Sequence, residues 1–347
     1  MFIKKMWVNP VVFILLSGLL FITDISKSHA EASEEQSNIN WENYSPQTKE
    51  LCQSAAHLAV PSHNQLDEAS KASLKNCDSI DLYYGFNTAP DYTKAFRCAL
   101  MNNDYNVLVM AYANGKGVPF NPDLAMHFAC LMEDAAPAEM DGRIAHLAQI
   151  KKNNKKASFD ICDDITSGYM MGWCSSLDKR FQDVKRNKKM NALVSKWTPQ
   201  EQILYQQVNK TAQTYIHDHS MYEIDLSGTA RTAFAVNAEL SLNQRFFELL
   251  EKTNQCAIPP VTTKQYEESD HQLNNLYKKV MSDISSLQYT TITKEGIKKT
   301  ELAWIKYKEA WVQLGRVKCP KISAESWQFL LIQDRIKLLN DILELTE

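Results

Sequence analysis

The sequence predicts an all-α protein that is stapled by disulfides. Glycine and proline are scarce, with 10 and 11 in 347 residues, and no run alternates as a β-strand does. Apolar residues instead recur at helical spacing between short turn signals, which is typical of helical hairpins joined by short connections. An even set of eight cysteines indicates a disulfide framework.

The first 30 residues are predicted to be a secretory signal peptide rather than part of the fold. Lys4 and Lys5 precede an apolar run from Val11 to Ile22, and the small residues of 28–30 suit a cleavage site. An uncleaved anchor is the alternative, although the run is shorter than the roughly 20 residues that a span needs. No later segment is apolar enough to span a membrane, so the mature chain is expected to be periplasmic, with no membrane span.

The charge of the mature chain argues against nucleic acid as a partner. Without the three lysines and one aspartate of residues 1–30, the 38 basic and 41 acidic residues become 35 and 40, a net charge of −5. Nucleic-acid binding requires a basic face. A mildly acidic chain is compatible with a basic protein partner.

In an exported chain the eight cysteines are expected to be oxidised, which removes them as nucleophiles. Disulfides tend to form within one helical hairpin, which favours pairing of cysteines that are neighbours in the sequence. The middle two pairs could exchange partners. A zinc site is not expected, because there is no C-x-x-C and the histidines are not spaced with the cysteines as a finger requires. The expected pairs are Cys52–Cys77, Cys98–Cys130, Cys162–Cys174 and Cys256–Cys319.

Residues 31–79 are expected to be a loose or helical N-terminal segment, with a helix beginning near Ser45-Pro46. An internal repeat follows in the section 80–150, where 82–99 is echoed by 110–129. In the second copy, Gly115 is predicted to end one helix and Asn121-Pro122-Asp123 to start the next. This copy resembles the Sel1-like repeat, and the first copy, which lacks the Gly-Val element, resembles it in degenerate form.

Residues 137–185 are interpreted as a connecting region, with a solvated basic patch at Asn153-Asn-Lys-Lys. A new unit is predicted from Trp197, because Thr198-Pro199-Gln-Glu201 has the pattern of a capping box. The helix that follows is expected to bury one face. That face carries Tyr205, Val208, Ala212 and Tyr215.

Two helices are predicted in the C-terminal quarter. Leu273, Leu276, Tyr277 and Val280 share one face of the first at i, i+3, i+4, i+7 spacing. The second carries a comparable set, and because two such helices cannot bury an aromatic stripe alone, we expect them to pack on each other as an antiparallel hairpin. The residues of the second set are Leu302, Trp304, Ile305 and Trp311.

The segment Asp270-His-Gln-Leu-Asn274-Asn-Leu-Tyr277, the segment Ala303-Trp304-Ile-Lys-Tyr307-Lys308 and the closing helix around Arg335 together resemble the LprI-type lysozyme inhibitor domain. The resemblance implies a small helical periplasmic module over 256–347 that binds a protein, with a lysozyme as the implied partner. Two departures stand out: Lys308 replaces the usual Arg, and Val312 stands about where the family carries a cysteine, so Cys319 is expected to supply a relocated bridge. The element Gly228-Thr-Ala-Arg231 accompanies some LprI-like domains, which suggests a divergent module over 160–250.

Six residues are candidates for binding, each with a structural alternative. Asn274 is expected to hydrogen-bond across the hairpin and Asp270 to help cap its helix, or both belong to a recognition face. The aromatic candidates form either core or interface hot spots, and Arg231 either binds an anion at a helix start or pairs within a local turn. The full set is Asp270, Asn274, Tyr277, Trp304, Tyr307 and Arg231.

Nothing in the sequence indicates an enzyme, a cofactor or a metal site. His217 and His219 point to opposite faces of a helix, and although His219 and Glu223 could share an ion, further ligands are lacking; solvent-exposed histidines are expected. Paired carboxylates such as Glu267-Glu268 suit charged helix faces better than a hydrolase cleft. The function predicted is non-catalytic protein binding at the cell envelope. The alternatives are an envelope assembly adaptor that docks through the Sel1-like helices and, more remotely, a peptidoglycan-cleaving enzyme.

Overall fold

A computed structural model describes residues 43–132, 135–154, 158–283 and 287–345, and within those ranges it confirms the all-α class. The predicted signal peptide lies outside the described residues. A short 3₁₀ helix at Ser62–Asn64 follows the first α-helix. The α-helices are α1 Pro46–Ala55, α2 Glu68–Ser73, α3 Ser79–Tyr84, α4 Tyr92–Asn102, α5 Tyr105–Asn114, α6 Pro122–Cys130, α7 Pro137–Asn153, α8 Gly168–Val194, α9 Pro199–Tyr222, α10 Arg231–Asn254, α11 Thr263–Asp283, α12 Lys294–Lys318 and α13 Ala324–Glu344.

The helix ends follow the local signals of the sequence. Ser45 caps α1 by accepting a hydrogen bond from the Thr48 amide, and Thr198 and Glu201 form the predicted capping box of α9. Gly115 ends α5 in the left-handed conformation, and Asn121 caps α6. These helix boundaries are confirmed.

The N-terminal half is a succession of helices, each packed on the next from α3 to α7. Four alanines, two on α4 and two on α6, have no exposed surface, which lets neighbouring helices approach closely. The interpretation of 137–185 as a connecting region was wrong, because α7 and the first half of α8 occupy most of it. The alanines are Ala95, Ala99, Ala125 and Ala129. The resemblance of this half to Sel1-like repeats stays a prediction.

All eight cysteines are paired, but two of the expected pairs were wrong. The bridges observed are Cys52–Cys130 and Cys77–Cys98, together with the expected Cys162–Cys174 and Cys256–Cys319. Sequential pairing fails because α1 folds back against α6 and α7. Cys52 therefore meets Cys130 at the end of α6 rather than its neighbour in sequence.

The C-terminal half shares one core, which runs from Met190 to Ile342. The expected hairpin of α11 on α12 was wrong: α12 packs mainly on α9, and α11 on α13. Two close approaches fix α12 against α13. The Trp311 and Trp327 rings stack at 6.3 Å, and a Cβ atom on Gly315 would lie only 2.4 Å from the Trp327 ring.

The buried stripe of α12 is also displaced from the one expected. Trp304, Tyr307 and Trp311 are buried, whereas Leu302 is 54% exposed. Leu302 lies two residues before Trp304, and residues two apart on a helix point to different faces. It therefore cannot reach the core that the tryptophan enters.

Candidate functional site

A buried ionic network joins three helices of the C-terminal half. The guanidinium of Arg335 on α13 donates two hydrogen bonds to the Glu223 carboxylate, at 2.6 and 2.7 Å, and one to Glu301 on α12 at 2.9 Å. Arg335 and Glu223 have no exposed side-chain surface. His219, one turn before Glu223, contacts the same carboxylate at 2.9 Å. The network fixes the end of α9 against α12 and α13.

The pKa values of the pair reflect this arrangement. Burial by itself raises the pKa of the Glu223 carboxyl, but attraction and hydrogen bonds from Arg335, with a hydrogen bond from His219, hold it below its ordinary value. Burial likewise opposes the charge on Arg335, yet Glu223 raises its pKa well above the ordinary value. Both groups are therefore charged when the protein is folded.

This depressed pKa predicts a loss of stability in acid. The pKa of Glu223 is lower in the folded chain than in the unfolded one. The contribution of its carboxylate to the free energy of unfolding is therefore complete above the unfolded pKa near 4.5, and it is lost as the pH falls through the folded pKa. We expect the free energy of unfolding in urea to fall steadily below about pH 4.5. Glu223→Gln should have a flatter acid limb, whereas Glu251→Gln, at an exposed position on α10, should keep the wild-type slope. Equal slopes for all three proteins would contradict the role of Glu223.

Next to this network, two connections between helices meet and form a partly exposed surface. We call the segments 224–229, between α9 and α10, and 287–293, between α11 and α12, the loop end. Thr291 links them: its amide donates to Asp225 at 3.2 Å, its hydroxyl donates to the Ile224 carbonyl at 3.3 Å, and it accepts from the Leu226 amide at 2.7 Å. The two segments therefore hold each other in place.

The loop end presents one aromatic side chain to solvent. Leu287 and Ile292 are buried at either side of the segment, while Tyr289 between them is 86% exposed. The hydroxyl of Thr290 donates to the Leu287 carbonyl at 2.9 Å and accepts from the Ile292 amide at 3.2 Å. Tyr289 is thus carried on a short turn whose two ends are fixed in the core.

The residues predicted from the sequence do not form one site. Trp304 and Tyr307 are core residues. Asn274 is exposed and donates to the Asp270 carbonyl and carboxylate of its own helix, at 2.8 and 3.0 Å, so the expected bond across a hairpin was wrong. Asp270 does not cap α11 either, because that helix begins at Thr263. Tyr277 is half-buried against the core.

Arg231 lies elsewhere, at the first residue of α10. It lines an open groove of about 760 Å³ together with Tyr169 and Trp173 of α8. Gly168 and Gly172 of α8 allow α10 to approach closely there, since a Cβ atom on either would lie within 2.7 Å of Thr229 or Thr232. The groove does not include α11 or α12, so Arg231 does not extend a face formed by those helices.

The histidine motif has a structural role. His217 is exposed, but the expectation for His219 was wrong, because it is buried beside Glu223. Asp218 is buried as well and pairs with Lys299 of α12 at 3.1 Å. Within the described ranges, no group of three or more His, Cys, Asp or Glu side chains is placed to hold a metal ion.

Comparison with known families bears on this half of the chain. Residues 250–336 match the model of the family described as lysozyme inhibitor LprI. The chain carries an LprI-type domain. The match takes in the end of α10, all of α11 and α12, and α13 as far as Ile336. No curated protein and no solved structure matches the chain.

The LprI-type domain is built into a larger helical unit. Arg335 and Glu301 lie within the matched residues, but their partner Glu223 lies before them, and the core continues back to Met190. Tyr289 is within the matched range. The other segment of the loop end, 224–229, comes from outside it. That residues 160–250 form a divergent module of the same family stays a prediction.

The disulfides bear on where the protein works. Four disulfides together with an LprI-type domain indicate an extracellular or periplasmic protein, since disulfides persist in oxidising compartments. Among the helices that the structure describes, none has both the length and the hydropathy to cross a membrane.

Sequence reasoning missed the residues that organise this site. In the sequence, Arg335 stands out only as part of a closing helix, and Glu223 only as a companion of His219. Tyr289 belongs to no motif, and its one signal is that it is the single aromatic residue in a Ser/Thr-rich insert between two helices. An isolated aromatic in a polar insert is a candidate contact residue.

Proposed function

We propose that this protein is exported to the periplasm, with residues 1–30 removed as a signal peptide, and that it binds and inhibits a lysozyme there. The observation that carries the proposal is the match of residues 250–336 to lysozyme inhibitor LprI. Inhibition by binding requires no chemistry of its own. The protein is therefore proposed to be non-enzymatic and to work without a cofactor.

The loop end is the proposed contact surface. Tyrosine is among the residues that contribute most to protein interfaces, and Tyr289 stands on a turn that is already ordered, so little conformational entropy is lost on binding. A lysozyme cleft is concave and lies between two carboxylates. An exposed aromatic side chain on a short turn suits such a cleft better than the side of a helix does. The second candidate surface is the exposed face of α11 with Asp270 and Asn274.

Inhibition of a purified c-type lysozyme tests the proposal. The mature protein, titrated into a peptidoglycan suspension with lysozyme, is expected to stop lysis at a small molar excess. Tyr289→Ala should raise the inhibition constant roughly 30-fold, because truncating an interface hot spot costs about 2 kcal/mol. The control is Tyr169→Ala on α8, which removes a 71% exposed tyrosine outside the matched residues and is expected to leave inhibition unchanged.

The possible results of this experiment distinguish the proposed function, lysozyme inhibition, from the proposed contact surface, the loop end. Absence of inhibition at large excess, against c-type lysozymes and lysozymes of other types, contradicts the proposed function and favours an adaptor that docks through the N-terminal helices. Equal inhibition by both variants and the wild type contradicts only the role of the loop end. Circular dichroism of each variant confirms that the fold is retained.

A further inference from the structure

A second polar site lies between α10 and α13, in a cleft of about 350 Å³. Three basic side chains line it, Arg245 and Lys252 from α10 and Lys337 from α13. Two carboxylates, Glu248 and Asp334, line it as well. A cleft of this size accommodates a small group, such as a carboxylate with its neighbouring side chain.

Arg245 is the unusual member of the cleft. Its Nη1 atom is enclosed, and among the described residues it has no hydrogen-bond partner. The side chain also borders a smaller cavity of about 30 Å³, lined by Tyr215, Trp304 and Tyr307. Enclosing a guanidinium nitrogen without a partner costs free energy. Unlike Arg335, Arg245 has no ion pair among the described residues that would offset this cost.

The two carboxylates of the cleft contact side chains other than Arg245 and Lys252. Glu248 accepts a hydrogen bond from Gln244 at 3.0 Å, and Asp334 lies 3.6 Å from Lys337. Within the described part of the chain, neither Arg245 nor Lys252 forms an ion pair with them. The cleft therefore has two cationic groups that remain available for an anion.

The positions of these two groups suit a single ligand. Arg245 and Lys252 are seven residues apart on one face of α10, about 10.5 Å along the axis, a span that two long side chains can bridge from either side. A guanidinium binds a carboxylate through paired hydrogen bonds. Between them on the same helix, Leu249 lines the cleft opposite Leu330 of α13, which provides an apolar contact beside the charges.

We propose that this cleft binds a peptide carboxylate, with Arg245 as its main ligand and the apolar side chain next to the carboxylate resting on Leu249 and Leu330. A doubly charged phosphate suits the cleft less well, because Glu248 and Asp334 line it too. This site is independent of lysozyme inhibition, which is proposed for the loop end.

The test is an NMR titration of the mature protein, observed at the arginine side-chain N–H groups. N-acetyl-leucine is expected to bind with millimolar affinity and to shift the Arg245 signal, whereas N-acetyl-leucinamide, which lacks the carboxylate, is not. N-acetyl-glutamate α-amide in place of N-acetyl-leucine shows whether a side-chain carboxylate serves as well as a C-terminal one. Inorganic phosphate is expected to bind at least tenfold more weakly than N-acetyl-leucine.

Two variants distinguish a binding role from a structural one. Arg245→Met should weaken the binding of N-acetyl-leucine at least tenfold, with a melting temperature equal to or above that of the wild type, because an unpartnered guanidinium has been removed. Arg316→Met, at an exposed position of α12, should change neither property. Absence of binding by the wild type, unchanged binding by Arg245→Met, or equal binding of phosphate would overturn the proposal.

Discussion

Arg335→Leu is expected to lower the free energy of unfolding by about 3–5 kcal/mol, as loss of one partner from a buried ion pair does. Arg335 has no exposed surface, and its removal leaves the Glu223 carboxylate buried without its two charged hydrogen bonds. The same change detaches Glu301 of α12 from α13. Urea denaturation followed by tryptophan fluorescence measures the loss.

Two controls make this result interpretable. Arg316→Leu, on the exposed side of α12, should change the free energy of unfolding by no more than about 0.5 kcal/mol. Adding Glu223→Gln to Arg335→Leu should recover part of the loss, because the unpaired charge is then gone. A loss below about 1 kcal/mol for Arg335→Leu would contradict the central position given to this network.

Removal of the Cys256–Cys319 bridge by alanine at both positions is expected to cost about 4 kcal/mol, since it closes a loop of 63 residues. The bridge joins the chain just after α10 to the end of α12. Removal of Cys162–Cys174, whose sequence separation is 12 residues, should cost about 3 kcal/mol by the same argument. Denaturant unfolding of both double variants under oxidising conditions gives the comparison. A greater cost for the shorter loop would contradict the loop-entropy explanation.

The features that were predictable depend on neighbouring residues. Many helix starts are marked by a capping side chain and an acidic or proline residue within one turn, so Ser45 and Thr198 could be identified directly. Gly115 was identifiable for the same reason, because a left-handed residue after a helix favours glycine. The all-α class follows from the sum of such local preferences.

The choice of packing partner was not predictable in this way. Helical spacing shows which face of α11 or α12 is apolar, but an apolar face fits several neighbours equally well. α12 packs on α9, and α11 on α13, because six helices contribute to the same core rather than two. The bridge from Cys52 to Cys130 depends likewise on α1 returning to α6 across 78 residues of sequence.

The candidate site depended even more on long-range contacts. An arginine in an amphipathic helix is usually exposed, and Arg335 is buried only because Glu223, 112 residues earlier, is placed opposite it. The loop end requires two connections far apart in sequence to meet through Thr291. No residue pattern within either connection indicates that the two segments contact each other.

The most direct measurement of where a lysozyme binds is hydrogen–deuterium exchange of the mature protein, alone and with a saturating c-type lysozyme. We expect slower amide exchange in the complex at 224–229 and 287–293, with little change in α1 to α7. Slower exchange confined to α11 around Asp270 and Asn274 would transfer the contact to that helix face. Slower exchange in the N-terminal helices alone, or no change anywhere, would contradict binding through the LprI-type domain.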